Sequence, residues 1–183
     1  MTQPTVSAEV AAMMADLAVS ARRAPDAYLA SARATLLRIL ARPELLDPSR
    51  LTAHGEGLSR NLLFGTEALS VWAMVWAPGA ITPVHDHHCS CCFGLLRGNL
   101  RETWYRAISD THAVATRDAV RTPGFVACMM PSGPNLHRIA NDGPEAAVSI
   151  HVYGYDHRVQ ASSIHRTYAV AACLLYTSPS PRD

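Results

Sequence analysis

The sequence predicts a mainly β domain, an antiparallel barrel or sandwich, preceded by N-terminal α-helices. Three observations predict it. Between about residues 7 and 41, apolar residues recur every three or four positions, the period of a helix face. From Ser59 onward the chain breaks into short runs rich in β-branched and aromatic residues, separated by turn residues. Among those runs His85 and His87 stand two residues apart, a spacing that puts both side chains on one face of an extended strand but in different directions on a helix.

The helical segment opens with SAEVAAMMADLAVSARRA, breaks at Pro25 and resumes as DAYLASARATLLRILAR. Pro25 suits the first turn of the second helix, where a missing N–H costs nothing, and Pro43 ends that helix. A Met, Leu and Ala stripe at this spacing is core packing, so these helices are read as covering one side of the later sheet. The strand runs are RNLLFG, LSVWAMVWAPG, ITPVHDH, CCFGLLRG, RETWYRA, AVATRDAVRT, FVACMM and AAVSIHVYG. Pro-Gly, Arg-Gly-Asn and Asn-Asp-Gly-Pro turns lie between them, the pattern of an antiparallel barrel or sandwich. A chain of 183 residues accommodates one domain with a sizeable core. We place that domain at 1–173, with helices over about 7–41 and the barrel over about 59–170. Residues 174–183, LLYTSPSPRD, switch to a Ser-Pro repeat that continues no strand and read as a non-native tail.

A net charge of +1 leaves no electrostatic footprint for nucleic acid or an acidic membrane surface. All sixteen basic residues are Arg, which excludes a Schiff-base or phosphate-loop lysine. Three of the five cysteines crowd at Cys89, Cys91 and Cys92, unlike the spaced pairs of a secreted disulfide framework. Cys89 and Cys92 are expected as packing thiols. With no charged-then-apolar leader and no apolar run near the roughly eighteen residues that span a bilayer, the expectation is a cytoplasmic monomer without membrane or nucleic-acid partners.

A second segment, GFVACMMPSGPNLHRIAN, joins a Pro-x-Gly turn to His137 and Asn141. Together the two segments resemble the paired motifs of the cupin superfamily. Gly79, His85, His87, Cys91 and Gly98 stand in the first motif; Gly124, Pro131, Gly133, His137 and Asn141 stand in the second, with one extra residue between Gly133 and His137. The resemblance implies a cupin-type antiparallel β-barrel, or jelly roll. Neutral imidazoles of His85, His87 and His137 would hold a divalent metal on one side and leave the opposite positions open for substrate and oxygen. Zinc hydrolases also use three histidines, so the ligand set alone does not name the metal.

In SIHVY, Ser149, His151 and Tyr153 alternate with Ile150 and Val152, so the polar three share one strand face. Facing inward, they form a relay that orients the phenol; facing outward, they are a solvated strand surface. Arg60 lies within an apolar stretch, where its fork of donors suits either a substrate carboxylate or a structural ion pair.

With Arg60 in an S-R-N-L context, the HDH pair, Cys91, His137 and the Ser149, His151, Tyr153 triplet, residues 58–158 resemble the thiol dioxygenases, and among them the bacterial-like cysteine dioxygenases. The resemblance implies a non-haem Fe(II) enzyme that converts L-cysteine and O2 to cysteine sulfinic acid. It makes His85, His87 and His137 the iron ligands and Arg60 the carboxylate clamp. Tyr153, supported by Ser149 and His151, becomes the outer-sphere acid or hydrogen-bond donor. It also implies a thioether between Tyr153 and a cysteine. Counting from His87 gives Cys92 and counting back from Gly98 gives Cys91; Cys91 is favoured because it shares strand parity with the two histidines. Leu58 stands where animal members carry tyrosine, and Gly154 where they carry a Ser-Pro pair. Relatives that oxidise 3-mercaptopropionate usually have Gln in place of Arg60, so Arg60 favours cysteine over that or another small thiol. Two further classes, a metal-dependent cupin acting on a non-thiol and a non-catalytic small-molecule-binding cupin, need no carboxylate clamp aligned with a phenol.

Overall fold

A computed structural model describes residues 6–22, 25–46, 48–131 and 135–171. Helix α1 spans Ala8–Ala21 and starts where the Ser7 hydroxyl accepts a hydrogen bond from the Val10 N–H at 3.2 Å. Ser7 thereby satisfies one of the free amides of the first turn. Helix α2, Pro25–Leu40, begins on its proline, as the missing N–H allows. A short 3-10 turn at Pro43–Leu45 follows it, and a second lies at Pro48–Arg50.

Among the described residues ten strands follow: β1 Leu58–Gly65, β2 Ser70–Trp76, β3 Val84–His87, β4 Cys91–Arg97, β5 Leu100–Ala107, β6 His112–Arg121, β7 Val126–Met129, β8 His137–Ala140, β9 Ala147–Tyr153 and β10 Ile164–Val170. They form two facing sheets. One has the order β1-β2-β9-β4-β7, and the other, β10-β3-β8-β5-β6, closes on itself. The fold is therefore the expected mainly β cupin architecture behind two helices, with one difference. The closure of the second sheet is a parallel pairing, Ala169 of β10 beside His112 of β6, whereas the other strand pairs are antiparallel.

Alternation along the first sheet decides what the site can contain. Val71, Ala73 and Val75 of β2 and Val148, Ile150 and Val152 of β9 face the helices and are buried against Val10, Met14 and Leu17 of α1 and Leu36 and Ile39 of α2. Gly94 of β4 lies against α2, where a Cβ would sit 2.9 Å from Leu40 Cδ1 and require that side chain to shift. The opposite parity, Ser149, His151 and Tyr153, points between the sheets. Every residue of β9 is buried, so the reading of its polar face as solvated is overturned.

Other expectations need correction. HRIA and IHRTYAV were not expected as strands. Both carry polar residues without clean alternation, and their extended form comes from partners: β8 pairs with β5 and β3, and β10 with β3 and β6. Cys92 is not a free packing thiol. The antiparallel register of β4 and β7 places it opposite Cys128, and the two form a disulfide. Residues distant in sequence meet through strand pairing, so spacing could not announce the bond. Cys89 does pack as a buried free thiol. Gly133 of the Pro-x-Gly turn and the tail 174–183 lie outside the described residues. Among the described residues no helix is long and apolar enough to cross a membrane.

Candidate active site

Strand β3 carries His85 and His87 inward, and β8 pairs with it so that His137 is the direct cross-strand partner of His85. The three buried imidazoles bring one nitrogen each to within 4.8 Å of one another. Each ring is turned by a contact at its other nitrogen. His85 Nδ1 lies 2.9 Å from the Pro83 carbonyl, which can only accept, so Nδ1 carries the hydrogen and Nε2 is left as a lone pair. His137 Nδ1 donates in the same way to Glu102 Oε1 at 2.9 Å, and His87 Nδ1 lies 3.2 Å from Ser163 Oγ. These contacts direct all three Nε2 atoms toward one centre, and His87 Nε2 and His137 Nε2 approach to 3.0 Å.

The electrostatics agree with a ligand role. Burial lowers the pKa of His85 to about 4 and that of His87 to about 2, and the neighbouring imidazoles add to the effect. Both rings are neutral near pH 7, the form that binds a metal. Three imidazole nitrogen donors with oriented rings fit a divalent metal.

Along β9 a hydrogen-bonded line leads away from the centre. The Trp76 indole N–H donates to Ser149 Oγ at 2.8 Å; Ser149 Oγ lies 2.8 Å from His151 Nε2, and His151 Nδ1 lies 3.1 Å from the Tyr153 hydroxyl. Trp76 can only donate, so Ser149 accepts from it, and the arrangement in which Ser149 also uses its own hydrogen is donation to His151 Nε2. His151, whose pKa burial lowers to about 3, is neutral, and in that arrangement it carries its hydrogen on Nδ1 and donates it to Tyr153. The Tyr153 hydroxyl then keeps its hydrogen for another acceptor. Burial raises its pKa well above the ordinary phenol value, so that hydrogen is present at neutral pH.

Cys91 stands directly opposite Tyr153 in the β4–β9 register. Cross-strand partners place their Cβ atoms about 4.5–5.5 Å apart. Burial raises the Cys91 pKa, so it is a neutral thiol. Cys92, the alternative partner, points to the helix side and is tied to Cys128.

Arg60 on β1 faces the same cavity, which is also lined by Leu58, Met74, Phe93, Ile139 and Ile164. Its Nη1 donates to the Ala161 carbonyl at 2.9 Å and its Nη2 to the Tyr155 hydroxyl at 3.2 Å, while the guanidinium carbon lies 4.4 Å from the centre of the Trp72 ring. None of these partners is a carboxylate, so the structural ion pair is not what holds Arg60. Its Nε is buried without a hydrogen-bond partner among the described residues.

Glu102, Trp76, Ser163 and Tyr155 were not anticipated. Glu102 is almost wholly buried and bonds His137 with one oxygen and Arg121 Nε, at 2.9 Å, with the other. It shares strand parity with buried Leu100, and one acid on an inward parity was a legible signal. The other three depend on contacts across elements.

A family model described as cysteine dioxygenase type I matches residues 49–167. Auxin-binding protein 1 of Arabidopsis thaliana is 29% identical over 86 residues, 46% of this chain and 41% of that protein, so the chain spans about two-fifths of this curated relative. Among solved structures, an uncharacterized double-stranded β-helix protein from Klebsiella pneumoniae has a TM-score of 0.46 at 18% identity, covering 58% of this chain and 84% of that one. A cupin superfamily protein from Desulfitobacterium hafniense has a TM-score of 0.46 at 14% identity, covering 59% and 86%.

Proposed function

We propose that this chain, which belongs to the cysteine dioxygenase type I family, is a non-haem Fe(II) dioxygenase that oxidises L-cysteine with O2 to cysteine sulfinic acid. The observation that carries the reading is the meeting, in one largely apolar cavity, of three imidazoles turned toward one centre, a guanidinium with no carboxylate partner among the described residues, and a phenol that retains its hydrogen. The reaction adds both atoms of O2 to one thiol, so it needs a place for the sulfur, a hold on the rest of the molecule and control of protons. His85, His87 and His137 would hold Fe(II), which when bound supplies the redox chemistry that lets O2 react with a thiolate.

The chain's own residues do the rest. Arg60 binds the substrate carboxylate, and its unpartnered Nε is a donor that such an anion satisfies. Tyr153 offers its hydroxyl hydrogen to the reacting end of the substrate, and His151, held by Ser149 and Trp76, keeps that phenol oriented. Leu58, Met74, Phe93 and Ile164 displace water from the carboxylate pair, which strengthens it. Cys91 lies where a thioether with Tyr153 would remove the remaining rotamer freedom of the phenol.

The test is oxygen uptake by the Fe(II)-loaded protein with L-cysteine, 3-mercaptopropionate and cysteamine in turn, with sulfinate product measured. L-cysteine should give the highest kcat/KM. Arg60→Ala should lower it by about 2–5 kcal/mol of transition-state stabilisation, roughly thirtyfold or more, and should spare cysteamine, which has no carboxylate. Highest turnover of 3-mercaptopropionate would move the substrate assignment to that acid. No uptake with any thiol would reject the enzyme reading.

A further inference from the structure

We propose that Tyr155 is a specificity-determining residue of this pocket: its hydroxyl positions the Arg60 guanidinium, so the preference for acidic over neutral thiols runs through Tyr155 as well as Arg60. The inference rests on the clamp role proposed for Arg60.

Tyr155 lies two residues beyond Tyr153, outside β9 and outside the lining of the cavity. The chain reaches it through a tight approach at Gly154, whose N–H donates to the Ser90 carbonyl at 3.0 Å. A Cβ at Gly154 would meet Ser90 Oγ, so a side chain there would require the Ser90 hydroxyl to turn away. The turn sets the buried Tyr155 ring against His88, with centroids 5.6 Å apart, and against Tyr153, at 5.7 Å. From that seat the hydroxyl accepts a hydrogen bond from Arg60 Nη2 at 3.2 Å.

Three contacts then define the guanidinium. Tyr155 holds one terminal nitrogen, the Ala161 carbonyl holds the other at 2.9 Å, and the Trp72 ring supports one face at 4.4 Å. A guanidinium has five N–H donors in a rigid plane. Two are spent on Tyr155 and Ala161, and the rest, including the buried Nε–H, remain for a ligand. A carboxylate takes two parallel donors, so the orientation of the plane decides whether it is gripped by both or by one. Tyr155 fixes that plane before the ligand arrives, which lowers the ordering cost of binding. A neutral thiol does not use the guanidinium and is indifferent to its orientation.

Tyr155→Phe keeps the ring and removes only the acceptor. The Fe(II)-loaded protein, its Tyr155→Phe variant and its Arg60→Ala variant are titrated with L-cysteine and with L-cysteine methyl ester without oxygen, and then assayed with L-cysteine in air. We expect Tyr155→Phe to weaken L-cysteine binding about tenfold, the low end for a lost hydrogen bond to a charged group, to raise KM by a similar factor and to leave kcat within about twofold. Ester binding should be unchanged. Equal weakening of acid and ester, or no weakening of the acid, overturns the assignment while Arg60→Ala still discriminates. If Arg60→Ala itself fails to discriminate acid from ester, the clamp reading fails first and the role of Tyr155 falls with it.

Discussion

Glu102→Gln is the perturbation that probes the metal centre with least disturbance to its shape. In the native arrangement one carboxylate oxygen accepts from His137 Nδ1 and the other from Arg121 Nε, both at 2.9 Å, and the carboxylate is 1% exposed. A glutamine of the same size has one acceptor end and one donor end. Turned one way, its NH2 meets the Arg121 N–H; turned the other way, it meets the His137 Nδ1–H and favours the tautomer with its hydrogen on Nε2, the nitrogen needed for metal. Either way a buried donor loses its acceptor, which costs about 1–3 kcal/mol. Partners of this kind are typically worth 10- to 100-fold in metal affinity, or about 1.4–2.7 kcal/mol. The assay is competition for Fe(II) or Co(II) against a chelator of known affinity, with His137→Ala as the reference for loss of a whole ligand. We expect Glu102→Gln to bind metal 10- to 100-fold more weakly than the native protein and His137→Ala to retain no stoichiometric metal. Native affinity in Glu102→Gln would show that the carboxylate does not orient the ring, and stoichiometric metal in His137→Ala would reject the centre altogether.

The same buried imidazoles make the metal-free protein sensitive to acid. His85, His87 and His151 titrate near 6.5 when unfolded, and in the folded chain burial lowers them to about 4, 2 and 3. Between 6.5 and those values the unfolded chain binds protons that the folded chain refuses, so stability falls as pH drops through the window and is unaffected above it. The slope is about 1.4 kcal/mol per pH unit and group, up to about 4 kcal/mol at pH 5.5 for the three. Denaturant titrations of metal-free protein at pH 7.5, 6.5 and 5.5 measure it, and equal stability at 7.5 and 5.5 would contradict the buried neutral trio. For the thioether, protein incubated with Fe(II), L-cysteine and air should gain a species two hydrogens lighter that survives disulfide reduction. Cys91→Ser should abolish it and Cys92→Ser should not; the reverse result would contradict the β4–β9 register.

Much of this was legible in the chain, because alternation and helical period are local. The His85 and His87 spacing, the polar parity of Ser149, His151 and Tyr153, and the Pro25 break all follow from neighbours within a few residues, and the folded elements match them. What could not be read depends on register between distant strands. Cys92 meets Cys128 only because β7 runs back along β4, and β8 is extended only because β3 and β5 flank it. Glu102 lies between the two outcomes. Its inward parity was visible in RET, but its partner was not, since the contact requires β8 to lie beside β5. Trp76 stands in a strand run of the sequence, and its indole N–H gains a role only when β9 is laid beside β2.

The two halves of the proposed chemistry rest on scaffolds of different kinds. Ser149, His151 and Tyr153 sit on β9, which has a strand on each side and is buried on both faces, so the relay has no freedom that does not also disturb the core. Arg60 sits on β1, the edge of the same sheet, and two of its three holds come from Tyr155 and Ala161, beyond the end of β9. On the proposed reading, removing the Tyr155 hydroxyl while keeping its ring against Tyr153 changes the hold on Arg60 and leaves the packing of the phenol in place. Cys91 and Cys92 divide in the same way across one strand: successive side chains of β4 go to opposite faces, one toward Tyr153 and the cavity, the other toward the helices and Cys128. A one-residue slip in β4 would exchange them and carry Phe93 out of the cavity as well. Both faces of β4 are buried, so pairing fixes which cysteine faces the phenol: Cys91 lies opposite Tyr153, and Cys92 lies opposite Cys128 and is bonded to it.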